Sequence, residues 1–456
     1  MWKLNIKAGK KTKHDALVEY ISKLIDSGKL KPGELLPTQR YISSSMQVSI
    51  GTVIKAFTEL EKRGYVVGEV GRGTFVSDYK YLSSSTPGDQ INLGNYESPD
   101  FTTIPAFRAL QSGVSEVIRE SELYFKIGYI DPSGATEHKE AMVEWLQLAG
   151  LKTEVDKILI CGGAHHGTFI SVKVLCEKGE SLMVEEMSTL NIRDVCNFLD
   201  VQMLPVRMDN DGIIPEDFEL VAKTKKAKAL YINPTLQNPT CAVMSLKRKQ
   251  QIVKIAEKYK VTIIEDAVSD LLIDTPVTPI INLYPDNTIY VSSFSKTISP
   301  GIRVGIVNAN KTLIKKLDFA SRATIWMNSP LLNEIATNLV QSGKAKTMLL
   351  GKKQAIKQRQ AVFQKIFKDF EYVSHLNAFH AWVKLPDHWT YIEFIRETER
   401  RNIVIRTSDM FYVGNDMPPN YFRIGLGSPH TIEDLTKGLE TIAELMRGQP
   451  SDSVNF

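Results

Sequence analysis

Long apolar runs are missing from this chain. No stretch of eighteen apolar residues occurs anywhere in it, so no membrane span is expected. The first twenty residues, MWKLNIKAGKKTKHDALVEY, hold lysines but no apolar segment behind them, and no secretory signal is expected. Cysteine is scarce: Cys161, Cys176, Cys196 and Cys241 are the only 4, with no C-x-x-C spacing and no His/Cys cluster. That excludes a disulfide framework and a metal site, and predicts buried thiols in a reducing compartment, the cytoplasm by elimination. Internal repeats and low-complexity tracts are lacking too. What is present, 43% hydrophobic and 24% charged residues over 456 positions, is the composition of a soluble globular protein of two or three domains.

The charge is unevenly placed. Residues 1–80 hold 14 Lys/Arg against 8 Asp/Glu and carry +6, whereas the whole chain is only +4 and the remainder therefore −2. A basic head on a near-neutral body suits contact with a polyanion. Within the head, Leu17, Val18, Ile21, Leu24 and Ile25 fall at helical spacing before Gly28 and Pro32-Gly33. Thr38 is placed to cap a second helix. A third runs through VSIGTVIKAFTELEKRGYV with Val53, Ile54, Phe57 and Leu60 turned inward and Ser49, Thr52 and Lys55 on other faces. The stretch GYVVGEVGRGTFVSD then alternates as a hairpin around Gly68 and Gly71-Arg72-Gly73. Helix, helix-turn-helix and two-stranded wing make a winged helix-turn-helix, whose recognition helix enters the DNA major groove.

These residues resemble the GntR family, through GKLKPGELLPTQR, VSIGTVIKAFTELEKRGYV and GRGTFV, over about residues 12–77. The resemblance implies binding to double-stranded operator DNA, with Arg40, Ser49, Thr52, Lys55 and Arg72 as contacts. Arginine and lysine can hold phosphates and set register, while hydroxyls and the wing arginine reach base edges or the minor groove. The domain is expected over residues 1–78. A Ser-rich stretch with Pro87-Gly88, residues 79–90, reads as a linker.

From residue 91 onward, helical and strand patterns alternate, as in an α/β domain built on a mainly parallel sheet. The informative groups stand where apolar strands stop, the place where such sheets gather ligands. Gly162-Gly163-Ala164 opens a helix with exposed amides. Asn233 and Asn238 sit beside prolines, Glu265 and Asp266 end TIIED, and Ser293, Ser295, Lys296 and Arg303 follow another strand in SSFSKTISPGIRVG. The Ser293-Phe294-Ser295-Lys296 spacing also matches the S-x-x-K of penicillin-binding enzymes, but the S-D-N and K-T-G tripeptides those need are absent. Pyridoxal 5′-phosphate accounts for the whole set. Gly163, Ala164, Ser293, Ser295 and Arg303 suit its phosphate and Asp266 its pyridine nitrogen. Asn238 suits its phenolic oxygen, and Lys296 can form a Schiff base with its aldehyde.

In order and spacing, GYIDPSGATEHKEAM, GGAHHG, PTLQNPTCAVMS, IIEDAV, SSFSKTISPGIRVG and NYFRIGLGS resemble the fold-type I aminotransferases over about residues 91–447. The resemblance implies that Tyr129 reaches the cofactor phosphate of the other subunit in a dimer and that Arg423 holds an amino-acid carboxylate. It also implies a small C-terminal α+β subdomain from about residue 330. Two positions depart from the family. Thr189 replaces the ring that stacks on the pyridine, and Val268 replaces a tyrosine two residues past the carboxylate. His165 and His166 replace a commoner polar pair and are expected to be structural. Fast transamination is therefore not expected. Head and body together resemble the MocR-type regulators. This implies a head-to-tail homodimer, without membrane attachment, that binds operator DNA and senses an amino compound or the vitamer itself. A working aminotransferase with an added head and a cofactor-free DNA-binding dimer on a decayed scaffold are the alternatives.

Overall fold

The computed structural model describes residues 12–26, 29–31, 34–62, 65–69, 73–76, 90–99, 104–414 and 416–449. Arg72 and all but the last residue of the 79–90 linker lie outside them. The chain divides into two compact units, Met1–Gly88 and Asp89–Phe456.

In the first unit, helices α1 (Lys13–Asp26), α2 (Gln39–Met46) and α3 (Ile50–Lys62) precede a hairpin of β1 (Val66–Glu69) and β2 (Gly73–Val76), paired antiparallel from Val66↔Val76 to Glu69↔Gly73. Thr38 caps α2 by accepting from the Tyr41 N–H at 3.3 Å. Leu17, Val18, Ile21, Ile42, Val53, Phe57 and Leu60 close a small core. The expectation of Ile54 inward is corrected, since Ile54 is 46% exposed while Ala56 is fully buried. The inner stripe of α3 runs Val53–Ala56–Phe57–Leu60, the i, i+3, i+4, i+7 series, and Ile54 lies a residue off it.

The second unit is built on a seven-stranded sheet. Its strands are β3 (Ile158–Cys161), β4 (Ser181–Glu185), β5 (Gln202–Val206), β6 (Ala229–Ile232), β7 (Thr262–Asp266), β8 (Thr288–Ser293) and β9 (Gly305–Asn308), in the spatial order β3-β9-β8-β7-β6-β4-β5. All neighbouring pairs are parallel except those made by β9, which runs antiparallel to both β8 and β3. Apolar side chains alternate between the two faces: Ile263 joins one buried cluster and Ile264 another, as do Leu230 and Tyr231. Burial on both faces is why these strands read as near-continuous apolar runs.

Helices α4 (Ile104–Arg119), α5 (Thr136–Gln147), α6 (Ala164–Leu175), α7 (Pro330–Gln341), α8 (Lys344–Ile366) and α9 (Ile432–Arg447) cover the sheet and its C-terminal companion. That companion is an antiparallel sheet of β10 (Tyr372–Ser374), β11 (His380–Lys384), β12 (Arg406–Thr407) and β13 (Tyr421–Gly425), ordered β10-β11-β13-β12. One apolar cluster, containing Trp145, Ile160, Phe294, Phe363, Phe379 and Ile424, runs through both parts. The segment before α4 belongs to the C-terminal part. Ile91 N–H donates to Asn402 O and Leu93 N–H to Val404 O, each at 2.8 Å, and Gly425 N–H donates back to Leu93 O at 2.7 Å. Among the described residues no helix is long and apolar enough to cross a membrane, no group of side chains could hold a metal, and all 4 cysteines are free and buried.

Candidate functional site

Strands β3, β6, β7 and β8 end along one edge of the large sheet, and β9, running the other way, starts there. A cavity of about 480 Å³ opens at that edge. It is lined by Ala164, Asn238, Asp266, Ser293, Ser295, Lys296, Arg303 and Arg423 from the sequence expectations, together with Thr189 and Val268.

Asp266 and Glu265 are neighbours with opposite fates because successive strand residues face opposite ways. Asp266 faces the cavity, and its Oδ2 accepts from the Tyr231 hydroxyl at 2.5 Å while Oδ1 accepts from the Val268 N–H at 3.3 Å. Glu265 instead caps a short buried helix, accepting from the Ile280 and Ile281 N–H groups at 2.8 and 3.1 Å. Burial pushes the Asp266 carboxyl above its ordinary range, against the pull of the Tyr231 bond. Asn233 braces the same corner, donating through Nδ2 to Asp266 O at 2.7 Å and accepting from the Asn238 N–H at 3.0 Å.

Lys296 opens partly into the cavity but is otherwise surrounded by protein. Its ammonium donates to the Tyr96 carbonyl and lies 4.1 Å from the Tyr96 ring centre. Burial, then the nearby Arg423 charge, lower its pKa to about 8. Arg423 is buried, donating from Nη1 to Asn238 Oδ1 at 2.6 Å and from Nη2 to Gly94 O at 2.5 Å. Its guanidinium lies over the Phe411 ring at 4.8 Å, and burial brings its pKa down to about 10.

The reversal of β9 explains the glycine corner. Arg303, just ahead of β9, adopts φ +49° and donates from Nη2 to Gly162 O at 3.0 Å. Gly163, at φ +90°, has no room for a side chain, as a Cβ there would lie 2.6 Å from Arg303 Nη2. Gly305 is equally constrained, its Cβ position 2.4 Å from the Gly163 carbonyl carbon. Glycine at 163 thus lets a cationic side chain press against the start of α6. Ser293 completes this corner, its Oγ accepting from the Ser295 N–H at 3.4 Å.

Tyr129 is not at this cavity within the chain, lying 89% exposed on a loop. His166 is held by its own turn, its Nδ1 accepting from the Gly162 N–H at 3.2 Å and its Nε2 2.7 Å from Thr324 Oγ1; His165 lines the cavity. Sequence reasoning passed over Gly94, Tyr96, Tyr231, Arg406 and Phe411, which also line it. Only Tyr231, on β6 two residues before Asn233, had a local signal. In the head, Arg40, Ser49 and Lys55 are exposed and Thr52 half-exposed. Ser49 has a second role, its Oγ accepting from the Thr52 N–H at 3.2 Å to cap α3.

Residues 88–442 match the profile of aminotransferase class I and II, and residues 13–76 that of bacterial regulatory proteins of the gntR family. The chain belongs to the class I and II aminotransferase family. With its GntR helix-turn-helix head, this is the MocR architecture. Its relatives include YdeF of Bacillus subtilis, named an HTH-type transcriptional regulator, 28% identical over 453 residues that cover 98% of this chain and 96% of YdeF. NorG of Staphylococcus aureus, also an HTH-type transcriptional regulator, is 26% identical over 319 residues, 62% of this chain and 70% of NorG. Among solved structures, an archaeal alanine:glyoxylate aminotransferase aligns with TM-score 0.73 at 23% identity, over 79% of this chain and 91% of its own. A Pyrococcus horikoshii kynurenine aminotransferase aligns with TM-score 0.72 at 20% identity, over 81% and 96%. The aminotransferase-like unit thus keeps the fold of the enzymes, while the whole-length relatives bear regulator names.

Proposed function

We propose that this chain regulates transcription by binding operator DNA through its head, and that its aminotransferase-like pocket holds pyridoxal 5′-phosphate and takes an amino compound as effector. The observation that carries the reading is the partly exposed, depressed-pKa Lys296 in one cavity with Asp266, Asn238, Ser293 and Arg303. The donor set fits the cofactor. Arg303, Ser293, Ser295 and the amides following Gly163 suit a phosphate, and a side chain at 163 would fill that cradle. Asp266 suits a ring nitrogen, and Asn238, whose Oδ1 is taken by Arg423, keeps its Nδ2 for a phenolic oxygen. When bound, the cofactor supplies an aldehyde for covalent capture of amines.

The residues themselves do the rest. Lys296, with its pKa near 8, presents an appreciable uncharged fraction at neutral pH, as amine attack on a carbonyl requires. Arg423 is poised for a carboxylate. Thr189 offers a hydroxyl where the family offers a stacking ring, so the ring plane is held less firmly, a loss on the order of 1 kcal/mol by analogy with aromatic pairs. That favours capture and sensing over rapid turnover. The family arrangement adds a head-to-tail dimer in which Tyr129, exposed here, reaches the partner's site. An effector shifts the regulator only through unequal affinity for two arrangements of it.

One observation favours the cofactor-free alternative: the Tyr231 hydroxyl already occupies Asp266 at 2.5 Å. Visible absorption of the purified protein with and without added pyridoxal 5′-phosphate, beside a Lys296→Ala variant, decides between them. A cofactor-dependent band present in the wild type and missing from the variant is expected. Protein that stays colourless under saturating cofactor would leave a DNA-binding dimer on a retired scaffold, and steady conversion of an amino donor to a keto acid would make it an enzyme.

A further inference from the structure

Arg406 and Arg423 stand directly opposite each other where β12 pairs with β13, and both line the cavity. Directly opposed residues of an antiparallel pair share a face with Cβ atoms about 5 Å apart, and like charges placed so repel. Nothing acidic offsets them, because no carboxylate of the described residues lies within ion-pair distance of either guanidinium. Two other arginines of this unit, by contrast, have carboxylate partners, Arg207 with Asp217 at 2.8 Å and Arg248 with Asp209 at 2.8 Å. Of the carboxylates lining the cavity, Asp266 is engaged by Tyr231 and the Val268 amide, and Glu97 accepts from Asn95 Nδ2 at 3.0 Å. Arg423 rests on two neutral oxygens, and its Nε is buried with no partner. A buried guanidinium with a spare donor, next to a second cation on the same face, is short of negative charge that the chain does not provide.

We infer that the effector carries two acidic groups, an amino dicarboxylate, with Arg423 taking the carboxylate beside the amine and Arg406 the acid on its side chain. One arginine fork satisfies one carboxylate in a bidentate pair, so a ligand with a single acid group leaves the second cation unmatched. Arg406 is then the specificity-determining residue. The inference rests on the reading of this pocket as an amino-compound site.

The test uses the full-length protein. Its visible band with pyridoxal 5′-phosphate is checked first and reports on the cofactor reading alone. Calorimetric titrations then compare L-glutamate and L-aspartate with L-norvaline and L-alanine, and glutarate with butyrate. The last pair has no amine and does not call on Lys296. Diacids are expected to bind about tenfold or more tightly than their single-acid counterparts, the worth of one charge-assisted pair. Arg406→Gln erases that preference, Arg406→Lys keeps part of it, and Arg423→Gln weakens both classes. Equal affinity of the wild type for glutarate and butyrate, and for the two classes of amino acid, would overturn the inference without recourse to a variant. So would an Arg406→Gln protein, folded by circular dichroism, that loses both classes equally. If the visible band fails while glutarate still outbinds butyrate, the arginine pair stands and the cofactor reading falls.

Discussion

The head and the pocket use charge in opposite ways. In the head, Arg40 and Lys55 stand in solvent, so each acts alone and is screened by salt. In the pocket, Lys296, Asp266, Asn238 and Arg423 are tied to one another, to nearby carbonyls or, for Asp266, to the Tyr231 hydroxyl, and removing one leaves others unsatisfied. A DNA contact surface can remain exposed because its partner is a polyanion met in water. A small-molecule site must hold its groups in place beforehand, at a cost in desolvation.

The largest effect that would sharpen this contrast is Asp266→Ala, which removes the partner for a ring nitrogen and frees the Tyr231 hydroxyl. Cofactor affinity, followed by the visible band, should fall about a hundredfold, at the strong end for a buried charged hydrogen bond. Binding of the same variant to double-stranded DNA at low salt should be unchanged; a matching loss there would break the separation of the two regions.

Next comes pH. With the Lys296 pKa lowered to about 8, its uncharged fraction, and with it the initial rate of cofactor uptake, should rise about tenfold per pH unit below that value and level above it. An ordinary lysine would still be climbing near pH 10. Stopped-flow absorbance over pH 6 to 10 reads this directly, and a rate still rising tenfold per unit at pH 9 would refute the shift.

Smaller changes are expected from the head. Arg40→Ala and Lys55→Ala should each reduce the slope of log affinity against log salt by about 0.9 on double-stranded DNA, and leave cofactor uptake alone. Ser49→Ala should cost about 1 kcal/mol of local stability through the lost cap, seen as faster hydrogen exchange of the α3 amides, and should weaken DNA binding besides. Smallest of all, Arg406→Gln should stabilise the ligand-free body by a few tenths of a kcal/mol, by relieving the cross-strand repulsion with Arg423; thermal unfolding would show a slightly raised midpoint.

The strand-end groups were legible because a buried parallel strand announces itself as an apolar run, and whatever polar residue follows it falls at the sheet edge. Asp266, Asn238, Ser293 and Lys296 all stand so. Arg303 needed more, since only the antiparallel sense of β9 puts it at that edge, and nothing in its own neighbourhood specifies that. Tyr96 and Arg406 gave no local signal: they follow, respectively, residues 91–92 and 403–404, which pair with each other from opposite ends of the unit. Ile54 was misplaced because an apolar residue beside a helical stripe looks like part of it until the neighbouring helix fixes the centre, here Ala56. The second unit begins at Asp89, but no local pattern could show that residues 91–93 would pair with the C-terminal part.

That pairing has a mechanical consequence. The carbonyls now held by Lys296 and Arg423 belong to Tyr96 and Gly94, on the segment just before α4. A ligand that draws the Lys296 amine or the Nη2 end of Arg423 toward itself competes with this segment's carbonyls for them. Those two donors act beside main-chain bonds to residues 402–404 and 425, the Tyr96 hydroxyl 2.9 Å from Ser269 Oγ and the buried Leu93, so a ligand that drew them away would loosen one end of a segment whose other end the core still grips.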